Sequence, residues 1–186
     1  MLELRDVTFG YGRHEEVLRD FSLYLPDGGR VCLQGASGAG KTTVLRLVMG
    51  LEKPRRGAVI LTTGTRLSAV FQEDRLLPDR TAAGNVALFG GEEAANEILE
   101  KLGLGGCRNA LPSALSGGQK RRVALARALA HPFDLLILDE ALTGLDAQSR
   151  AICLAAIDEA VRGRSLLMVS HEGRDAAALC AAVREL

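Results

Sequence analysis

The nine residues GASGAGKTT, Gly35 to Thr43, carry the spacing G-x-x-x-x-G-K-[ST]. They lie between the apolar run RVCLQ and the helically spaced KTTVLRLVM. A strand, a glycine-rich turn and a helix in that order form a phosphate cradle. Backbone N–H groups from Gly35 through Ser37, Gly38, Ala39 and Gly40 join the helix N-terminus in an anion nest. Lys41 is the residue to reach β- and γ-phosphates, and the Thr42 hydroxyl suits Mg²⁺. Nucleotide binding is the chemistry this stretch points to.

Three later features narrow the use of that nucleotide. LLILDE ends an apolar strand on Asp139 and Glu140. Beside a phosphate loop, Asp139 would hold the magnesium shell and Glu140 would orient or deprotonate an attacking water. Gln72 follows the strand SAVF as an uncharged group able to contact Mg²⁺ or water, or else as a surface loop residue. His171 closes LLMVSH, where strand ends meet ligands. It reads either as a γ-phosphate contact or as a structural hydrogen-bond partner.

LSGGQ, Leu115 to Gln119, opens a further helix. Ser116 and Gln119 have capping-box spacing, so hydroxyl and amide can satisfy free N–H groups at the helix start. Gly117 and Gly118 are not explained by capping. Glycine in a helix costs about 1 kcal/mol relative to alanine. Two residues without side chains do bare the backbone donors of a helix N-terminus, which is an anion site. The chain has one phosphate loop with its own helix start, so a second such start implies a shared use.

The elements that must position these residues alternate strand and helix, which gives an α/β fold with a mainly parallel sheet flanked by helices. Alternating segments near the N-terminus, around Leu2–Phe9 and FSLYLP, add a small antiparallel β portion. EEAANEILEKLGL reads as an amphipathic helix with Ile98, Leu99 and Leu102 on one side, and RDAAALCAA as the last helix. The 186 residues read as one domain, 1–186, with a helical subdomain around LSGGQ at roughly 74–130. Zero formal net charge gives no electrostatic reason to expect nucleic acid. The basic groups Lys53-Arg55-Arg56 and Lys120-Arg121-Arg122 read as solvated faces. Cys32, Cys107, Cys153 and Cys180 are far apart, with Cys32 and Cys180 placed as small core residues in a reducing compartment. No apolar run approaches the ~20 residues that span a bilayer.

Taken in order, GASGAGKTT, VFQE, LSGGQ, LLILDE, TGLD and VSH make the chain resemble the ATP-binding-cassette ATPases over nearly its whole length. The resemblance implies a P-loop NTPase that hydrolyses ATP with Mg²⁺ as a head-to-tail dimer. ATP then lies between the phosphate loop of one copy and LSGGQ of the other. Tyr11 looks like the aromatic that stacks on adenine, and Thr43 joins Gly38, Gly40, Lys41 and Thr42 around phosphate and metal. Gln72, Asp139, Glu140 and His171 resemble the family's Q-loop glutamine, Walker B aspartate, catalytic carboxylate and switch histidine. Asp146 in TGLD resembles the aspartate that faces the partner's site, and Ser116, Gly117, Gly118 and Gln119 would act in trans.

The same resemblance implies separate membrane permease subunits. The ATPase would be cytoplasmic and peripheral on the inner face of the cell membrane, with a solute-binding protein if the system imports. VFQEDRLLPDRTAAGNVAL resembles this segment in nitrate/taurine/sulfonate-type importers, although Asp79 stands where their tryptophan follows LLP. Ala141 replaces the proline frequent after the catalytic glutamate. The short stretch from Gly57 to Gln72 predicts a trimmed antiparallel portion. The short stretch after His171 argues against a regulatory domain. The alternative is a non-transport cassette ATPase acting on DNA or ribosomes, and those relatives carry coiled-coil insertions or tandem cassettes. A small P-loop kinase would leave LSGGQ and His171 without a role.

Overall fold

The computed structural model describes residues 1–12 and 15–186. In chain order its elements are β1 (Leu2–Phe9), β2 (Leu18–Leu25), β3 (Arg30–Gln34), α1 (Lys41–Val48), β4 (Arg56–Leu61) and β5 (Leu67–Val70). There follow α2 (Ala82–Lys101), α3 (Gly117–Leu129), β6 (Leu135–Asp139), α4 (Ala147–Ala160), β7 (Ser165–Val169), α5 (Gly173–Ala178) and β8 (Ala182–Glu185). The strands form two sheets: an antiparallel β2-β1-β4 and a parallel β5-β6-β7-β3-β8. This is the α/β arrangement expected from the alternation of elements.

The parallel strands read as continuous apolar runs because both of their faces are covered. In β6, Leu136 and Leu138 enter the core formed with α2, α3 and α4. Their neighbours Leu135 and Ile137 enter the other core, beneath α1 and the antiparallel sheet. β7 divides the same way, with Leu166 and Met168 on one side and Leu167 and Val169 on the other. Period-two side-chain alternation thus welds the two layers to one sheet.

Two elements differ from the sequence reading. Helix α2 begins at Ala82, capped by the Thr81 side chain, well before the amphipathic stretch that announces it. The helix is interrupted at Gly91, whose φ 80 and ψ 173 are not helical, so the glycine pair Gly90-Gly91 marks a kink between two helical halves. Gly90 lies so close to the end of α3 that a Cβ there would fall 2.2 Å from the Ala130 carbonyl oxygen. Strand β8 was not foreseen at all. It pairs with β3 at the sheet edge, Val31 beside Ala182 and Gln34 beside Glu185. Its four residues are all exposed, so no buried alternation marks it. Cys32 is buried as expected, but Cys180 is exposed, at φ 49 after α5.

Candidate active site

Four adjacent parallel strands deliver the candidate residues to one edge of the sheet. Gln72 follows β5, Asp139 ends β6 with Glu140 next, His171 follows β7, and the Gly35–Gly40 loop follows β3. The crevice beyond the carboxyl ends of such strands is where open α/β sheets bind ligands.

The loop after β3 has a shape that side chains resist. Gly35, Gly38 and Gly40 have φ of 146, 82 and 96. A Cβ on Gly40 would lie 2.9 Å from Leu18 Cδ2 and 3.0 Å from Val17 Cγ1. Gly40 is also the N-cap of α1 and provides no side-chain cap, so the first N–H groups of that helix stay free to meet an anion. Lys41 is buried, and its Nζ donates to the carbonyl oxygens of Gly35 and Ala36, each at 2.8 Å. The ammonium is therefore held over the loop, with Ser37 and Gly38 exposed along its rim. Ala39 closes the turn by donating its N–H to the Ala36 carbonyl at 3.2 Å.

Thr42 Oγ1 donates to Asp139 Oδ1 at 3.3 Å, which joins the start of α1 to the end of β6. Burial pushes the Asp139 carboxyl up from its ordinary range, and the Thr42 hydroxyl partly opposes that. A hydroxyl and a carboxylate side by side are hard oxygen donors. They fit a magnesium ion that takes its remaining ligands from phosphate and water. Among the described residues no cluster of three or more His, Cys, Asp and Glu is placed to hold a metal by itself.

Glu140 adopts φ 51, left-handed backbone that a residue with a side chain occupies only at a cost of about 1–3 kcal/mol. The turn is fixed on both sides: Glu140 N donates to Val169 O, and Thr143 N donates to Glu140 O. Glu140 Oε1 is thereby brought within 2.8 Å of His171 Nε2. The carboxylate is mostly covered, whereas the imidazole is half exposed. Tyr11 stands at the other end of the loop, its hydroxyl 3.2 Å from Thr43 Oγ1. Its ring meets Phe9 edge-on and is more than half exposed.

The second group of candidates lies apart from this cluster. Ser116 Oγ accepts from Gln119 N at 3.2 Å, and Gln119 Oε1 accepts from Ser116 N at 2.8 Å, which completes the capping box of α3. A Cβ on Gly117 would meet nothing within 4 Å, and one on Gly118 only Leu145 Cδ2 at an ordinary 3.6 Å. Packing within the chain therefore demands neither glycine. Asp146 caps α4, accepting from Ser149 N and Ser149 Oγ, both at 2.8 Å. These bonds hold its carboxyl below the usual carboxylate range.

Sequence reasoning missed the groups that brace this edge. Arg150 of α4 forms a two-pronged pair with Asp175 of α5, at 2.9 and 2.8 Å, and Ser170 Oγ donates to Asp175 Oδ2 at 2.6 Å. A third Arg150 nitrogen lies 2.7 Å from Glu172 Oε1. His171 is thus bracketed by two anchored neighbours. The one sequence signal was an acid four residues past His171. The run Lys120-Arg121-Arg122 is not a solvated face: Arg121 donates to the carbonyls of Phe71 and Gln72, and Arg122 to those of Gly118 and Leu102.

A family model described as "ABC transporter" matches residues 18–143. The chain belongs to the ABC transporter family. It is an ATPase of that family, an ATP-binding subunit whose relatives couple hydrolysis to transport. It is 44% identical over 191 residues to an aliphatic sulfonates import ATP-binding protein of Pseudomonas syringae pv. tomato, spanning 96% of this chain and 70% of the relative. A relative with the same function in its name, from Rhodococcus jostii, is 43% identical over 175 residues, or 90% of this chain and 71% of its own. Among solved structures, the chain is similar to a dimeric, post-hydrolysis ATP-binding cassette bound to ADP and phosphate. That likeness has a TM-score of 0.90 at 27% identity and covers 100% of this chain and 94% of the other. No helix among the described residues is long and apolar enough to cross a membrane.

Proposed function

We propose that the chain is the ATP-hydrolysing subunit of an importer. It works as a head-to-tail pair beneath separate membrane permease subunits, on the cytoplasmic face. The observation that carries this reading is the 2.8 Å contact between Glu140 Oε1 and His171 Nε2, beside the Lys41 loop and the Thr42–Asp139 pair.

Each residue has a step in that reading. The free N–H groups of the Gly35–Gly40 loop and of α1, together with the Lys41 ammonium, bind the phosphate tail. Tyr11 offers an exposed ring face to the adenine. Thr42 and Asp139, with Gln72 at the groove they share, would hold Mg²⁺, whose charge offsets that of the phosphates when bound. Glu140 accepts the proton of an in-line water, and His171 fixes the carboxylate and contacts the γ-phosphate. Ser116, Gly117, Gly118 and Gln119 present their bare helix start to the nucleotide of the partner copy. Asp146 faces that same junction, and residues 74–130 form the helical arm that carries the signature.

An apolar groove adjoins the Gln72 segment, lined by Phe71, Leu77, Leu88, Phe89 and His131. Phe89, Leu77 and Leu88 are all exposed along it and form one contiguous apolar patch, the kind of surface that marks an interaction site. Its continuity with Gln72 supports a cytoplasmic segment of the permease as occupant, since closure of the ATPase pair would then move the membrane subunits. The sulfonate importers named among the relatives support a small organic oxoanion as the class of solute, delivered by a solute-binding protein. Nucleic acid is not a partner in this reading.

The test is Glu140→Gln. Losing one general base lowers turnover by about 10²–10⁴-fold. The variant is expected to accumulate as an ATP-bound dimer on size-exclusion chromatography. A variant that turns over normally, or stays monomeric with ATP, defeats the assignment.

A further inference from the structure

The segment Phe71–Arg75 after β5 belongs to no helix or strand, yet four of its five carbonyl groups accept side-chain hydrogen bonds. Arg121 of α3 donates to Phe71 O at 2.9 Å and to Gln72 O at 2.5 Å. Arg127 of the same helix donates to Asp74 O at 2.9 Å and to Arg75 O at 2.8 Å. Two guanidinium groups from one helix thus hold four carbonyls within five consecutive residues. Arg121 also lies 3.2 Å from an Asp74 carboxylate oxygen, and its side chain is only 14% exposed. A planar fork can span two neighbouring carbonyls and a carboxylate together, and a lysine ammonium cannot match that geometry.

What Arg121 joins gives the contact its meaning. It stands two residues past Gln119, on the helix whose first turn is the partner-facing signature. Its grip is on the main chain of Gln72, which shares a groove with Thr42 and Asp139. Arg122, its neighbour, turns back to Gly118 and Leu102, so only Arg121 of that adjacent pair crosses to Gln72. We infer that Arg121 is a positioning residue that straps Gln72 to the signature helix, so that docking of the signature on a partner copy moves Gln72 in the same chain. A shift of the signature helix then reaches the metal-side groove directly through two hydrogen bonds.

The inference rests on the proposed ATP site, and its test separates the two. Arg121→Ala in the full chain is expected to lower kcat about tenfold and leave the KM for ATP within about twofold, because misplacement affects the reacting geometry more than binding. Backbone amides 72–76 should exchange hydrogen faster in the free chain, a readout independent of turnover. Arg121→Lys, which keeps the charge and loses the fork, should fall between the two in both measurements and serves if the alanine variant folds poorly. In a Gln72→Ala background, Arg121→Ala should add less than about twofold, since residues acting through one another are not additive. Unchanged kcat in Arg121→Ala beside a slow Gln72→Ala overturns the strap alone, as do losses that multiply. Full turnover in Gln72→Ala overturns the site assignment and the strap with it.

Discussion

Helices α1 and α3 both have glycine at their start, Gly40 as the N-cap of one and Gly117-Gly118 in the first turn of the other, and for opposite reasons. At α1 the chain itself requires glycine: Gly40 has φ 96, and a Cβ there would collide with Val17 and Leu18. At α3 the chain requires nothing of the kind, since a Cβ on Gly117 would meet nothing within 4 Å and one on Gly118 only an ordinary 3.6 Å contact with Leu145. Capping is reversed as well. The start of α1 has no side-chain cap, whereas that of α3 is closed by the reciprocal Ser116–Gln119 box. An uncapped end with an obligatory glycine leaves free N–H groups, which the proposed function gives to an anion held within the same chain. A capped end with optional glycines has already met its own needs, and in the function proposed above its bareness serves the partner copy that approaches from outside.

The sharpest way to break this comparison is Ser116→Arg. Losing a preorganised donor to transition-state charge costs about 10²–10³-fold in turnover. ATP binding to the single chain, followed by a fluorescent nucleotide, should be unchanged. A variant that hydrolyses ATP normally as a monomer would remove the outside partner from the account of α3. The mirror experiment is Gly40→Ala. Here the fold itself suffers, by about 1–3 kcal/mol for a side chain forced into left-handed backbone, and nucleotide affinity falls along with melting temperature.

Gly118→Ala gives a smaller effect but a more discriminating one. Alanine is the better helix residue by up to about 1 kcal/mol, and the only contact it gains is the 3.6 Å one to Leu145. The chain should melt slightly higher while its turnover drops, a stability gain coupled to a loss of function. If Gly118→Ala melts lower, the glycine is serving the chain's own packing and the contrast with α1 collapses.

The contrast also marks how far the sequence could be read. Residues acting through contiguous backbone, such as the Gly35–Thr43 loop or the Ser116–Gln119 cap, announce themselves by spacing, because local geometry dictates which types fit. Glu140 and His171 were legible as strand ends, and their meeting follows from β6 and β7 being neighbours. Arg121 was hidden because its partners, Phe71 and Gln72, lie about fifty positions away and offer only carbonyl groups, which every residue has. Asp175 was hidden for a similar reason: its pairing with Arg150 depends on how α4 and α5 pack. β8 left no trace because an edge strand with four exposed residues lacks the apolar alternation on which strand reading depends.

A third helix start sharpens the comparison by its response to acid. Asp146 caps α4 as Ser116 caps α3, but with a charged group, and its bonds from Ser149 lower its pKa below the ordinary 3.8. A carboxyl depressed in the fold adds stability that is present above its unfolded value and lost as pH falls through its folded value. The Ser116 cap has no such dependence, because a hydroxyl does not titrate there. Asp146→Asn keeps an acceptor oxygen for the Ser149 N–H and removes the charge that favours a helix N-terminus. Melting temperatures of the two chains should therefore differ at neutral pH, with the wild type higher, and converge as the carboxylate range is crossed. Ser116→Asn, by contrast, should shift the melting temperature by the same small amount at every pH. A gap between wild type and Asp146→Asn that persists in acid would mean that α4 is held by the shape of its cap alone. The charged start at Asp146 would then be no different in kind from the neutral one at Ser116.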